Sequence, residues 1–403
     1  MSSNRMKACL PCAIIFAGLS AAAPALGIEP ANAQLGPLYI TPTLNVESRY
    51  TDNLFRSEDN EKSTWILDTL PKVQTWLQNG NSTYSATVQL QDFRYASSSD
   101  DDFTDYQGNV DIHQEFNAKN TLDAFGKWYS GHEERGTGLA EGDVSQAIDK
   151  PVELDTVDYG ASYTLGNKNT LARVVAGYRY HEREYQNFRD ATRFRDYDQD
   201  HFSVAGYYGL RPRLDIVAEV RYFETRYGDV NRSDRSGSLD NDEYNYLFGL
   251  AWDATAKTSS SIKLGWYERE YESIARDEDE GFSWEADIFY EPRSYSVFNF
   301  ETKRYSQETN GVGDAIDTQE YSLRWDHDWN NRSHTHLAVL KADEDYTGSQ
   351  RSDDLWSAEA KYVYKFKRWF DVSGGYRYED RDSSSRGLSF DRNVYFLRAD
   401  MSL

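Results

Sequence analysis

Past residue 40 apolar and polar positions alternate along the chain. Tyr244, Tyr246, Phe248, Leu250 and Trp252 are interleaved with Asn245, Leu247, Gly249 and Ala251, and Ile262, Leu264 and Trp266 with Lys263, Gly265 and Tyr267. Phe282, Trp284, Ala286, Ile288 and Tyr290 alternate with Ser283, Glu285, Asp287 and Phe289, and the run from Trp356 to Phe366 repeats the pattern. Period two puts alternate side chains on opposite faces of a strand. The strands read as roughly 10 to 14 residues long, enough to cross a bilayer at a tilt with a short overhang.

Two kinds of connection separate them. Short turns fall near 79–81, 117–120, 166–169, 211–213, 254–256, at Glu291-Pro292-Arg293, and near 330–332 and 367–369. Longer, mostly acidic segments fall at 97–105, 134–151, 229–242, 275–281 and 380–387. Eight turns join sixteen strands, and one more strand at each end makes about 18. The predicted fold is therefore all-β: a transmembrane antiparallel β-barrel with short periplasmic turns, long extracellular loops and both termini on the periplasmic side. The last strand runs to the chain end, with Tyr395, Leu397, Ala399, Met401 and Leu403 on one face. That ending resembles the signal read by the barrel assembly machinery, with Leu403 where a Phe is usual.

The turns recur every 37 to 49 residues, which is close to the period of a soluble propeller blade. A blade packs four short strands into that span, whereas here it holds two long ones. Tyr and Trp rows with little Leu, Ile or Val also suit the two interfaces of a membrane better than a shared soluble core.

Composition fits this architecture. The 403 residues include 30 Tyr, 19 Phe and 10 Trp, yet 28% are charged and the net charge is -23. A helical membrane protein needs apolar runs of about 20 residues, which are missing, and an acid excess is unsuited to nucleic acid. Arg5 and Lys7, the apolar stretch 13–26 and Ala31-Asn32-Ala33 have the form of a secretory signal peptide over residues 1–33, ahead of a barrel over 34–403, with a second small-residue triplet ending at Gly27. Its removal would take away both cysteines, Cys9 and Cys12, and move the net charge from -23 to -24. Disulfides and thiolate metal sites are then excluded.

If the apolar series faces lipid, the alternate positions face a lumen, and 18 strands enclose an aqueous channel. The candidate substrate path comprises Arg173, Arg179, Arg183, Arg221, Lys263, Arg269, Arg324, Lys361, Lys365, Arg377 and Arg398, with Tyr207 and Tyr267 as faces on which sugar rings would stack. Inward acids are Asp158, Glu219, Glu285, Asp287, Asp326, Asp328, Glu359, Asp371, Glu379 and Asp400. The opposing reading is that these charges pair across neighbouring strands and hold the wall. Three cations on one strand, Arg173, Arg179 and Arg183, imply either an anion or acids opposite. The acid excess is assigned mainly to the outer loops.

No catalytic constellation emerges. His327, His334 and His336 straddle a turn and read as exposed turn residues rather than metal ligands, and G-x-S-x-G is absent. Acidic runs at 100–102 and 277–280 read as solvated, with Ca²⁺ or a divalent bridge to lipopolysaccharide as the alternative. Neither an enzyme, a cofactor nor a metal is expected.

The first strand carries Val46-Glu47-Ser48-Arg49-Tyr50-Thr51-Asp52-Asn53-Leu54-Phe55-Arg56. This run resembles the opening of the "putative β-barrel porin 2" family, and the hairpin pattern and final strand extend the resemblance over the rest of the chain. Tyr50, Asp52, Asn53, Phe55 and Arg56 match the family motif, and Asp52, Asn53 and Arg56 read as loop-closing residues at the end of the first strand rather than a substrate site. The resemblance implies an outer-membrane pore for an anionic or neutral exopolysaccharide, working with upstream synthesis and a periplasmic export partner. A small-solute diffusion porin and a non-transporting surface barrel are the alternatives.

Overall fold

The computed structural model describes residues 33–231, 234–255 and 257–402, so the proposed signal segment lies outside the described residues except for Ala33. In chain order the strands are β1 (Ala33–Leu35), β2 (Leu38–Thr51), β3 (Thr64–Asn79), β4 (Ser82–Tyr95), β5 (Phe103–Asn117), β6 (Asn120–Glu133), β7 (Val152–Leu165), β8 (Ala172–Tyr185), β9 (Tyr197–Arg211) and β10 (Leu214–Tyr227). They continue as β11 (Asn241–Thr255), β12 (Thr258–Tyr271), β13 (Asp279–Arg293), β14 (Ser296–Glu308), β15 (Ala315–Asn330), β16 (Ser333–Thr347), β17 (Ser352–Lys367), β18 (Phe370–Ser383) and β19 (Phe390–Ser402). From β2 to β19 each strand pairs antiparallel with the next, and β19 returns to β2 with Tyr395 opposite Tyr50 and Met401 opposite Leu44. The result is a closed barrel of 18 strands. β1 folds back through Gly36 and pairs with Leu38–Ile40, the stretch of β2 that β19 ends too early to reach.

The two faces sort as their chemistry requires. Phe248, Leu250, Leu264, Trp266, Phe282, Trp356, Tyr362 and Leu397 are exposed large side chains on the outer face. The register places their neighbours on the inner face: Lys263 lies opposite both Gly249 and Glu285, and Glu359 opposite both Ala338 and Arg377. A wall one strand thick has lipid as its only apolar partner, so exposure of these residues is the solution rather than a defect.

The 18 barrel strands run 13 to 16 residues, longer than the alternation predicts. The extra length is acidic. Asp279 and Glu280 begin β13, and Asp380 to Asp382 lie inside β18, although both runs read as loop in the sequence. Acids are depleted from strands by propensity, but a strand rising beyond the membrane is solvated on its outside and pairs its backbone regardless. Much of the acidity therefore sits on strand ends. Tyr178 donates to Asp200 at 2.6 Å and Tyr222 to Asp242 at 3.2 Å on the outer face, a hydroxyl-and-carboxylate collar at the long-loop end.

The short turns fall where expected except one. β13 continues through Pro292 to Arg293, and Ser294 and Tyr295 make the turn. Proline lacks an N–H and signals a turn, but here it sits at a register shift between Tyr290 and Arg293, where no ladder bond is lost.

Leu264, half exposed near mid-strand, tests the lipid-facing assignment. Leu264→Arg is expected to cost about 2–4 kcal/mol of folding free energy in bilayers. Ser261→Lys, on the luminal face of the same strand, is expected to leave stability near that of the parent. Denaturant titration in lipid vesicles checks both.

Candidate functional site: the lumen and its in-folded loop

The sequence-derived luminal cations all occupy inward register positions, and most meet carboxylates there. Arg221 donates to Glu219 at 2.6 Å and to both oxygens of Glu285, at 2.5 and 3.0 Å. Lys263 lies between the same two acids, at 2.8 and 2.5 Å. Arg377 meets Glu359 at 2.7 Å, Arg398 meets Asp400 at 2.8 Å, and Arg269 is buried between Glu243 at 2.7 Å and Glu308 at 3.0 Å. Arg324 faces Asn299 and Ala338 across the ladder and has no ion pair among the described residues.

The three cations of β8 are separated by their partners. Arg179 donates to Asp158 through Nε at 2.8 Å, and Arg173 stands 3.9 Å from Asp215. Arg183 lies over the Tyr197 ring at 5.6 Å, within electrostatic reach of Glu133. Acids therefore lie opposite the cluster. Lys361 pairs in register with His336 and Gly375, and Lys365 with Asp371.

Both proposed stacking tyrosines are already in contact with neighbours. Tyr267 is 1% exposed, its phenol donating to Asp279 and its ring pressed on Gly281, which leaves no room for a sugar. Tyr207 carries the Arg173 guanidinium over its ring at 4.0 Å. The alternation gives the face of each residue but not the neighbour that covers it. The turn histidines also part. His334 and His336 face inward and bond Asp328 and Asp326, whereas His327 faces outward among Tyr295, Trp325 and Trp329.

The motif residues close the seam. Asp52 accepts the backbone N–H of Asn393 at 2.7 Å and its side-chain amide at 2.7 Å, joining β2 to β19. Asn53, fully buried, accepts from the Ser57 N–H and donates to the carbonyls of Ser57 and Asp391. Tyr50 packs on Trp65 at 5.4 Å on the outer face. Phe55 turns inward into a core with Leu54, Ile66, Phe93 and Tyr95.

That core sits inside the barrel, and it holds a loop. The segment 134–151 between β6 and β7 folds into the long-loop end. Arg135 stacks on Phe55 at 4.3 Å, and donates to Asp101 through Nε at 2.6 Å and to the Ile148 carbonyl at 2.8 Å. Gly136 has φ +91, and a Cβ there would lie 2.0 Å from the Phe55 carbonyl oxygen, so only glycine fits. Ala140, Leu139, Ile148 and Phe188 pack on Val152, Leu154, Tyr129 and Tyr185 of the inner wall.

From there the loop crosses the lumen. Glu141 accepts from Arg351 at 2.8 Å and Arg381 at 2.6 Å, ahead of β17 and on β18, six to eight strands away round the 18-strand ring. Glu134 accepts from Arg56 at 2.9 Å and lies 3.8 Å from Arg392 of β19. Burial alone would raise the Glu134 pKa, but Arg56, then Arg392 and Arg49, hold its carboxyl well below the usual range. Other loops join the closure: Arg195 donates to the Gly311 carbonyl at 3.1 Å, and Arg276 bridges Asp234 and Asp314. The sequence held a signal for this that alternation alone passes over. Ile66, Phe93, Val152 and Leu154 are apolar on the luminal face and gather at the long-loop end.

The arrangement is a polar, wide, internally paired lumen closed at one end by its own loops. The family model described as "Putative beta-barrel porin 2" matches residues 27–402. A search of curated proteins gives no match. Among solved structures, the chain is similar to Pseudomonas aeruginosa OpdL at 11% identity and a TM-score of 0.47, covering 92% of this chain and 100% of that one. It is also similar to Pseudomonas aeruginosa OccK2 (OpdF) in complex with glucuronate, at 12% identity and 0.46 over 90% and 98%. The siderophore receptor PirA from Acinetobacter baumannii gives 8% and 0.43 over 90% and 80%.

Two predictions address the loop. Glu141→Ala takes the shared acid from two buried guanidinium groups; Arg351 keeps Asp353 but Arg381 keeps only the Leu388 carbonyl, and breaking such a buried pair costs up to about 3–5 kcal/mol. The expected result is faster proteolysis within 134–151 while the barrel stays intact. Glu134 sets the pH range. A depressed carboxylate pKa contributes stability in full above the unfolded value of about 4.3, and that stability is lost only as pH falls through the much lower folded value. Acidification from pH 7 to pH 5 should therefore leave the loop protected, and proteolysis at the two pH values measures this.

Proposed function

The chain belongs to the "Putative beta-barrel porin 2" family of the bacterial outer membrane, and from this premise we propose that it exports an exopolysaccharide through its lumen. The observation that carries the proposal is the in-folded segment 134–151. An 18-strand barrel left open would admit solutes freely. A loop pinned across the mouth by Glu134 and Glu141 suits a channel that stays shut until its cargo displaces the pins.

The wall is consistent with polymer passage. Conduction needs contacts favourable enough to admit cargo and weak enough to release it. Cations already satisfied by Glu219, Glu285, Asp158 and Glu359 hydrate the path without gripping a polyanion. On this reading residues 1–33 direct the chain to the periplasm, the barrel assembly machinery inserts it, and upstream synthesis with a periplasmic partner drives the polymer outward.

Planar-bilayer recordings and a gene deletion test the reading together. The parent protein is expected to show small, infrequent openings, and a variant lacking 136–149 a large steady conductance. Deleting the gene is expected to stop secretion and retain polymer in the periplasm. Absence of conductance in both proteins would eliminate transport altogether. Normal secretion without periplasmic polymer would eliminate export and leave small-solute passage.

A further inference from the structure

Six of the eight short turns carry a cation at the tip. Lys119, Lys168, Arg213, Lys257, Arg332 and Arg368 occupy them, all exposed, and no acid falls among the residues between the paired strand ends at any of the eight turns. This occurs in a chain with 67 acids against 44 bases. β1 and the last described residues of β19 lie at the same end as these turns, which makes it the periplasmic end of an outer-membrane barrel.

The neighbours of these cations decide what they meet. Turns this short leave the cations within a few residues of the interfacial aromatics. Trp369 follows Arg368, Trp329 precedes Arg332, and Phe116 precedes Lys119, each aromatic exposed on the outside of the wall. Tyr295 and Tyr208 extend the same girdle. Aromatic side chains of this kind sit at headgroup level, so the cations lie in the plane of the phosphates. On the luminal side at this height Asp328, Asp371 and Asp400 stand beside His334, Lys365 and Arg398, so the luminal charges are matched and the cations at the tips are the ones that face the bilayer.

We propose that the turn cations form a rim that binds anionic phospholipid headgroups of the inner leaflet. Lys or Arg near an anionic surface gains roughly fivefold in local lipid occupancy per residue at low salt. The rim would fix the depth of the barrel, with phosphates drawn to the turn end while the carboxylate collar at the other end disfavours them.

Tryptophan quenching by brominated lipid provides the test. The barrel is reconstituted in phosphatidylcholine vesicles containing equal mole fractions of either brominated phosphatidylglycerol or brominated phosphatidylcholine. The inner-girdle signal is the difference between the parent and a Trp329→Phe/Trp369→Phe variant. Phosphatidylglycerol is expected to quench that signal several-fold more strongly, with the preference shrinking as salt rises. Replacing the six turn cations by Gln should bring the two lipids to parity in a protein whose β-sheet circular dichroism is unchanged. Equal quenching in the parent, or a preference indifferent to salt, would overturn the proposal, as would a preference that survives in the folded six-residue variant. In those cases the basic tips would be left to an acidic periplasmic protein.

Discussion

In hydrocarbon a backbone N–H or C=O without a partner costs several kcal/mol, and no water is present to supply one. Everything else in this structure follows from meeting that requirement with a sheet that has no edge. The point most exposed to failure is the seam between the first and last barrel strands, because no hairpin turn holds it. Two devices act there. Asp52 ties the end of β2 to Asn393 through both backbone and side chain, and β1 folds back to pair with the part of β2 that β19 leaves uncovered. The motif that carries the family resemblance is thus a closure element, and its chemistry concerns the wall rather than cargo.

Closing 18 strands creates a second problem, a lumen too wide for wall side chains to fill. The fold answers it differently at different heights. Along the middle, Arg221, Lys263, Glu219 and Glu285 keep the surface polar, each charge neutralised within hydrogen-bond distance. At the long-loop end the inward positions turn apolar, and Phe55, Ala140 and Ile148 descend to meet them. A small soluble-style core forms inside a membrane protein. Its stability comes from apolar burial, whereas its placement comes from ion pairs that reach both sides of the ring.

Period-two patterning was legible wherever lipid faced one side, because a one-residue slip would bury charge in hydrocarbon. Tyr246, Phe248, Leu264 and Trp266 identify their strands unaided. The errors have physical reasons. Pro292 marks a turn by propensity, yet the ladder had no bond to lose at a register shift. Asp279, Glu280 and Asp380 to Asp382 read as loop, although solvent outside the membrane accepts acids on paired strands. The lumen was legible in facing but not in contact. Arg179 and Asp158 both read as inward, but their pairing depends on the register between β7 and β8, which no single strand encodes.

The charge of the molecule therefore has a vertical order that net charge conceals. Carboxylates extend the outer ends of the strands, paired charges line the middle, and cations occupy the turns. The closing loop depends on the first of these layers being incomplete. Arg351, Arg381, Arg56 and Arg392 are cations set among acids at the outer end, and Glu141 and Glu134 find them there. An outer end made wholly of acids would repel the loop and leave the barrel open. The buried arginines at that end are what convert a wide cylinder into a closed one.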